Sequence, residues 1–261
     1  MEKERWRPIL AIGLLLALAA ASGSAEAGQP SGPAGPISEA FGLFSDDIGN
    51  VEEDLPVIVI FKDGAKKEAE GLDVKQTYAI INGVSGSANS SILRRLAADP
   101  NVAGVYPDGS VTISQPANAT VDNKAFSATS RVNATPLWDR GINGSGVVVA
   151  VLDSGIDKNH PDLAGKVVGE VNFVDAERTT DDLLGHGTAV AGIIAGSGTA
   201  SGGEYVGVAP GASLLNVRVI DSQGSGAISD IIAGIDWAVE NGADVLTMSL
   251  GGLNLGGLQC P

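Results

Sequence analysis

An aspartate that ends a strand and a histidine that opens a helix are the two residues of this chain best placed for proton-transfer chemistry. Val147 to Leu152 is an unbroken apolar run, closed by Asp153 and the turn Ser154-Gly155. Such a run suits a parallel strand buried on both faces. In open parallel sheets, functional groups gather at the carboxyl ends of the strands. A carboxylate there is costly to bury without a partner. His186, in GHGTAVAGIIAG, is the candidate partner. It stands at a helix start, where the positive end of the dipole disfavours an imidazolium, and a general base at neutral pH has to be unprotonated. Asp153 bonded to one ring nitrogen would fix the tautomer and stabilise the imidazolium once formed. A histidine capping its own loop beside an aspartate in an Asx-turn fits the same two residues; the pair alone does not decide.

The elements that must position them follow a strand–loop–helix pattern from Val147 onward. Gly187 to Ile194 reads as a helix dense in Gly and Ala, shaped for close approach to a sheet. Ser213 to Ile220 reads as a strand. Asp230 to Glu240 is amphipathic, with Ile231, Ile232, Ile235, Ala238 and Val239 inward, and Asn241-Gly242 is a C-terminal cap signal. Asp244 to Leu250 is the next strand. Alternation of this kind predicts a parallel α/β sheet.

Upstream lies a smaller α+β unit, residues 55–113. Val57 to Phe61 is a strand, Lys62 to Gly71 a charged connection, and Val74 to Val84 a second strand or bent pair. Ala88 to Ala98 is a helix with Ile92, Leu93 and Leu96 on one face, ended by Asp99-Pro100, and Val102 to Tyr106 returns as a strand. Residues 114–136 are polar, lack periodicity and read as a linker. Residues 28–54 open rich in Gly, Pro and Ser and read as another.

Residues 1–27 read as a secretory signal: Lys3, Arg5 and Arg7, then a largely apolar core from Ile9 to Ala21, then Ala25-Glu26-Ala27 for a cut. That core is short for a membrane span of roughly 20 residues, so no stable span is expected. The chain has 261 residues and a formal charge of -15, which argues against nucleic acid or an anionic membrane as partner. An exported chain with one cysteine, Cys260, is unusual, because odd thiols in oxidising compartments tend to pair elsewhere.

The local motifs resemble the subtilisin-like serine peptidases. Asp153 in VLDSGID and His186 in GHGTAVAG stand where that family has its aspartate and histidine motifs. His160-Pro161-Asp162-Leu163, Val208-Ala209-Pro210 and Met248-Ser249-Leu250-Gly251-Gly252 match in order and spacing. Ala189 departs from relatives that carry a second histidine. The resemblance implies an α/β fold, with residues 137–261 the N-terminal part of a parallel-sheet peptidase domain. Residues 55–113 would be an inhibitor-type, ferredoxin-like propeptide whose first helix, Gly64 to Glu70, is short. Its sheet would pack on peptidase surface helices, one of them Asp230–Glu240, and its processing region would fall in residues 114–136.

The same resemblance assigns roles. Asp153 would orient, and His186 would act as base and then acid. Gly224-Ser225-Gly226 and Ser249-Leu250-Gly251 would hold an extended protein or peptide substrate by backbone hydrogen bonds, which demand little of its sequence. Ile228 would line a more distant apolar subsite. Asp162 matches a carboxylate that binds structural calcium in several relatives, although the loop Gly196 to Tyr205 lacks the expected asparagine. No cofactor is required for the chemistry. The family's nucleophilic serine and oxyanion asparagine would lie beyond Pro261, so the chain as given should be inactive; residues 130–261 alone should expose apolar surface and aggregate. The expected whole is a secreted endopeptidase precursor, with its own propeptide as intramolecular partner. A catalytically dead protein kept for binding, or for inhibiting proteases through the propeptide-like unit, is the alternative.

Overall fold

The computed structural model describes residues 53–113 and 128–251. The expected signal, most of the first linker and Cys260 lie outside the described residues. The chain divides into two compact units, one reaching to Gly109 and the other Ser110–Gly252.

The first unit is an antiparallel sheet with one helix. Its elements are β1 (Leu55–Phe61), β2 (Asp73–Thr77), β3 (Gly83–Ala88), α1 (Ser90–Ala98) and β4 (Val102–Pro107), and the sheet runs β2-β3-β1-β4. Alternation along β1 puts Val57, Val59 and Phe61 on one face, where they meet Leu93 and Leu96 of α1 and Val84 and Val105. Asn89 caps α1, its side chain accepting from the amides of Ser91 and Ile92. The helix expected over Gly64–Glu70 is not formed. Gly64 sits in a left-handed turn, Ala65 and Ala69 reach the core from an extended stretch, and Asn82 Nδ2 donates to the carbonyls of Lys62 and Ala65. The stretch Val74 to Val84 resolves into β2, a turn and the start of β3.

The second unit opens with β5 (Ser110–Thr112), followed by α2 (Ala128–Arg131), α3 (Thr135–Trp138), β6 (Val148–Asp153), β7 (Val167–Asn172), α4 (His186–Ala195), β8 (Ser213–Arg218), β9 (Ser225–Ala227), α5 (Ile228–Glu240) and β10 (Val245–Thr247). Four strands make one parallel sheet in the order β10-β6-β8-β7. Residues 128–136, read as linker, carry helical turns: single turns are too short to show a period. Side-chain bonds from Thr129 to Val206 O and from Trp138 to Val208 O hold them to the unit. β10 is shorter than the strand expected over Asp244–Leu250.

A helix packs on each face of the central strands, while Val168 of β7 and Val245 of β10 stay exposed. Val149 and Val151 of β6 and Leu214 of β8 pack with Ala191 and Ala195 of α4. On the other face, Gly234 of α5 lets that helix approach Leu152, Val217 and Val219: a Cβ there would lie 2.9 to 3.3 Å from their side chains. The period of two therefore places Asp153 on the α4 side, with Val149 and Val151. The C-terminus of α5 closes as expected at Asn241-Gly242, with Ala243 N bonded to Ala238 O and Gly242 N to Val239 O.

Candidate active site

Asp153 and His186 meet. His186 Nδ1 lies 2.7 Å from Asp153 Oδ1; the carboxylate side chain is 1% exposed and the imidazole 25%. An ionised carboxylate only accepts, so Nδ1 carries the proton and Nε2 is left with its lone pair. The same Oδ1 accepts from Ser154 N at 2.7 Å. Asp153 Oδ2 is buried with no hydrogen-bond partner among the described residues.

Backbone geometry makes the approach. Gly185 precedes α4 at φ 90, a conformation that side chains rarely adopt, and it offers no side-chain cap. Gly187 passes so close to the end of β6 that a Cβ would lie 2.1 Å from Gly155 O and 3.1 Å from Asp153 Cβ. No larger residue fits there without moving the helix.

The loop leading into His186 is fastened by polar groups that do not stand out in the sequence. Arg218, fully buried, donates to Thr179 O and Ile220 O and pairs with Glu177. Glu177 also accepts from Ser222, whose hydroxyl and amide hold its carboxyl below the usual carboxylate range despite partial burial. Asn216 Nδ2 donates to Thr180 O at 2.9 Å. Asn216 and Arg218 share a strand face with Leu214, so two polar residues spaced by two inside the apolar run SLLNVRVI were the available signal. Asp182 binds Ser154, Leu184, Gly185 and Thr188. Burial alone would raise its carboxyl, but the Thr188 hydroxyl and the amides of Thr188, Gly185 and Leu184 outweigh that and hold it low.

The two glycine-containing edges carry a strand of the chain itself. β5 runs antiparallel to β9, pairing Ser110 with Ala227, Val111 with Gly226 and Thr112 with Ser225. Ile113 N donates to Gly224 O, and Thr112 exchanges two backbone bonds with Gly251, at 3.2 and 2.9 Å. This pairing is why the second unit begins at Ser110 rather than after residue 113. Val111 and Ile113 are buried, while Ser110 and Thr112 are exposed. Ser249 and Leu250 precede Gly251 in that second edge and have no regular strand structure. Ile228 opens α5 and is buried.

Asp162 has a different use. Its Oδ1 accepts from Ala200 N at 2.8 Å and its carbonyl from Ser197 N. Within that loop, Gly198 O takes the amides of Ser201 and Gly203, and Thr199 O takes that of Gly202. Calcium takes about six to eight oxygen ligands; one engaged carboxylate, with carbonyls turned onto the loop's own amides, does not fit it. Among the described residues, no three His, Cys, Asp or Glu gather to hold a metal.

A family model described as the subtilase family matches residues 144–258, the span that contains the Asp153–His186 contact. Over that span the chain is a subtilase. Similar proteins include subtilisin E of Bacillus subtilis, 40% identical over 184 residues, 70% of this chain and 45% of the relative. Thermitase of Thermoactinomyces vulgaris is 47% identical over 122 residues, 47% of this chain and 43% of the relative. A thermostable alkaline protease of Halalkalibacterium halodurans is 37% identical over 185 residues, 71% of this chain and 48% of the relative. The chain thus spans under half the length of these relatives. No helix among the described residues is long and apolar enough to cross a membrane, and the subtilase chemistry requires no cofactor.

Proposed function

We propose that this chain is part of the precursor of an exported subtilisin-like endopeptidase, in which Asp153 and His186 form two members of an Asp-His-Ser triad. The observation that carries this is the 2.7 Å contact between the ring nitrogen of His186 and the buried Asp153. Held there, Nε2 takes the proton of a serine hydroxyl as its oxygen attacks the peptide carbonyl, and then gives that proton to the leaving amine. Asp153 keeps the ring in the right tautomer and stabilises the imidazolium between the two transfers. The serine and the oxyanion asparagine come, in this reading, from sequence beyond Pro261.

Gly224–Gly226 and Ser249–Gly251 are the edges that grip substrate. In support, an extended segment, Ser110 to Ile113, already lies on them in antiparallel register, bonded through its backbone. Its direction is also informative. Ile113 lies at Gly224 beside Leu184, two residues before His186: a Cβ on Gly224 would be 3.2 Å from Ile113 Cγ1 and 3.8 Å from Leu184 Cδ2. The chain therefore runs along the edge toward the imidazole, which agrees with a self-processing region in residues 114–136. Residues 55–113 act as the propeptide; the strand order β2-β3-β1-β4 with α1 suits a ferredoxin-like unit whose first crossover has lost its helix. The alignment with subtilisin E is longer than the family match, so it takes in residues upstream of Gly144. Residues 1–27 direct export.

The test is to produce the whole reading frame and measure casein hydrolysis with and without a serine-directed inhibitor. Hydrolysis that the inhibitor blocks and that His186→Ala reduces on the order of 10⁴-fold or more is the expected result. Activity kept by His186→Ala would reject His186 as the base.

A further inference from the structure

His186 does not reach Asp153 by the fold of the sheet alone. The amide of Gly187, next in the chain, donates to Ser154 Oγ at 3.0 Å. Ser154 follows Asp153, is 1% exposed, and its own amide binds the Asp153 oxygen that meets His186. The Ser154 hydroxyl then has one proton to give, and it gives it to Asp182 Oδ1 at 2.8 Å. That oxygen also accepts from Leu184 N at 3.0 Å and Gly185 N at 2.8 Å. Asp182 Oδ2 accepts from Thr188 N at 2.8 Å and Thr188 Oγ1 at 2.6 Å. Thr188 Oγ1 in turn accepts from Asp157 N at 2.9 Å, on the far side of the Ser154-Gly155 turn.

We propose that Asp182 is a positioning residue: its ionised carboxylate ties the start of α4 to the end of β6 and so fixes the His186 imidazole against Asp153. Five donors converge on its two oxygens, close to the four lone-pair sites a carboxylate owns. Three of them are amides of the first turn of α4 or its approach, on both sides of His186, and two are hydroxyls that also accept from the amides of Gly187 and Asp157. A neutral amide cannot replace it. One of its two atoms would be a donor, set against donors that have nowhere to turn. Gly185 supplies no cap of its own, and the amides of Gly185 and Thr188 on either side of His186 go to Asp182. Errors of about 1 Å in the position of a catalytic group lower rates on the order of 10²-fold, and the ring hangs from the segment these bonds hold.

The inference rests on the peptidase reading for its kinetic arm only. In the protein made from its whole reading frame, the proton between His186 Nδ1 and Asp153 should give a sharp low-field NMR line, which needs no turnover to be seen. Asp182→Asn should broaden or abolish that line and lower kcat about 10²-fold while KM stays within about twofold. Ser154→Ala cuts the link to the strand end but keeps every bond between Asp182 and α4; it should keep the thermal transition, weaken the line and lower kcat about tenfold. Glu68→Gln, which removes an exposed carboxylate paired with Lys66 in the first unit, should change neither. The proposal is overturned if folded Asp182→Asn keeps the line and kcat. It is equally overturned if Asp182→Asn fails to fold and Ser154→Ala leaves both untouched, since Asp182 would then be a helix cap and nothing more. Failure of the peptidase reading shows separately, as hydrolysis that survives His186→Ala.

Discussion

Two helices of this molecule begin with the same problem and solve it differently. Each leaves amides at its first turn without intrahelical partners. At α1 the residue immediately before the helix answers: Asn89 Oδ1 accepts from Ser91 N and Ile92 N at 3.1 and 3.2 Å. At α4 the residue immediately before is Gly185, and the answer comes from Asp182, through Thr188 and the preceding loop. A local cap stabilises one helix end and informs nothing else. A cap drawn from the preceding loop, and shared with Ser154, makes the helix start and the strand end into one piece. Where α1 needs only to cover a sheet, α4 needs its first residue at a fixed distance from Asp153, and the second kind of cap supplies that.

The largest way to break this arrangement is to force the two parts of the piece apart. Gly187→Ala places a methyl group 2.1 Å from Gly155 O, a contact that backbone must move to relieve. Overpacking of this kind costs about 1–3 kcal/mol, and moving the ring costs a further factor on the order of 10² in kcat. Gly192→Ala is the matched case on the same helix, where a Cβ meets nothing within 4 Å. It should instead stabilise by about 0.5–1 kcal/mol. Thermal unfolding and turnover of the two variants, measured side by side, check the contrast; a Gly187→Ala protein as active as Gly192→Ala would show that α4 is free to shift.

Acid sharpens the comparison, because only one of the two caps can be titrated. The hydrogen bonds from Thr188, Gly185 and Leu184 hold the Asp182 carboxyl below its ordinary value in spite of burial. A folded-state value lowered in this way gives stability that is fully present above the unfolded carboxyl, near pH 3.9, and that is lost as pH falls through the lower folded value. The stability gap between the unmutated protein and Asp182→Asn should therefore be flat from about pH 7 to 5 and narrow below about pH 4. Charge-assisted bonds of this type contribute about 1.5–3 kcal/mol, which sets the expected plateau. A gap that stays constant down to the acid limit would mean that Asp182 is not ionised in the folded protein.

The sequence made some of this legible and hid the rest, for physical reasons. Asp153 and His186 could be read because each sits in a local pattern, an apolar run with a polar stop and a glycine-flanked helix start. The parallel sheet followed from the alternation of strands and helices, and the end of α5 from the Asn241-Gly242 pair. Asp182, Asn216 and Arg218 were missed because their meaning lies in contacts to other elements, and a polar residue in a loop or strand shows no partner in one dimension. At Gly64–Glu70, where no helix forms, Asn82 Nδ2 donates to the carbonyls of Lys62 and Ala65, a partner that lies outside the stretch. Residues 110–113 were assigned to the end of the first unit, and only pairing geometry reveals that they complete an edge of the second.

The smallest predicted effect isolates the local cap. Asn89→Ala leaves the amides of Ser91 and Ile92 to water and removes no contact outside the first turn of α1. The loss should be about 1 kcal/mol, read as a lower unfolding midpoint at unchanged denaturant dependence. Unlike the changes around α4, it should leave the low-field imidazole line as it is, because nothing in that cap reaches Asp153 or His186. It should also show no acid dependence, since a carboxamide has no proton to gain. An Asn89→Ala protein whose imidazole line broadens would show that the two helix starts are coupled, and the distinction between a cap that holds a helix and a cap that holds a site would fall.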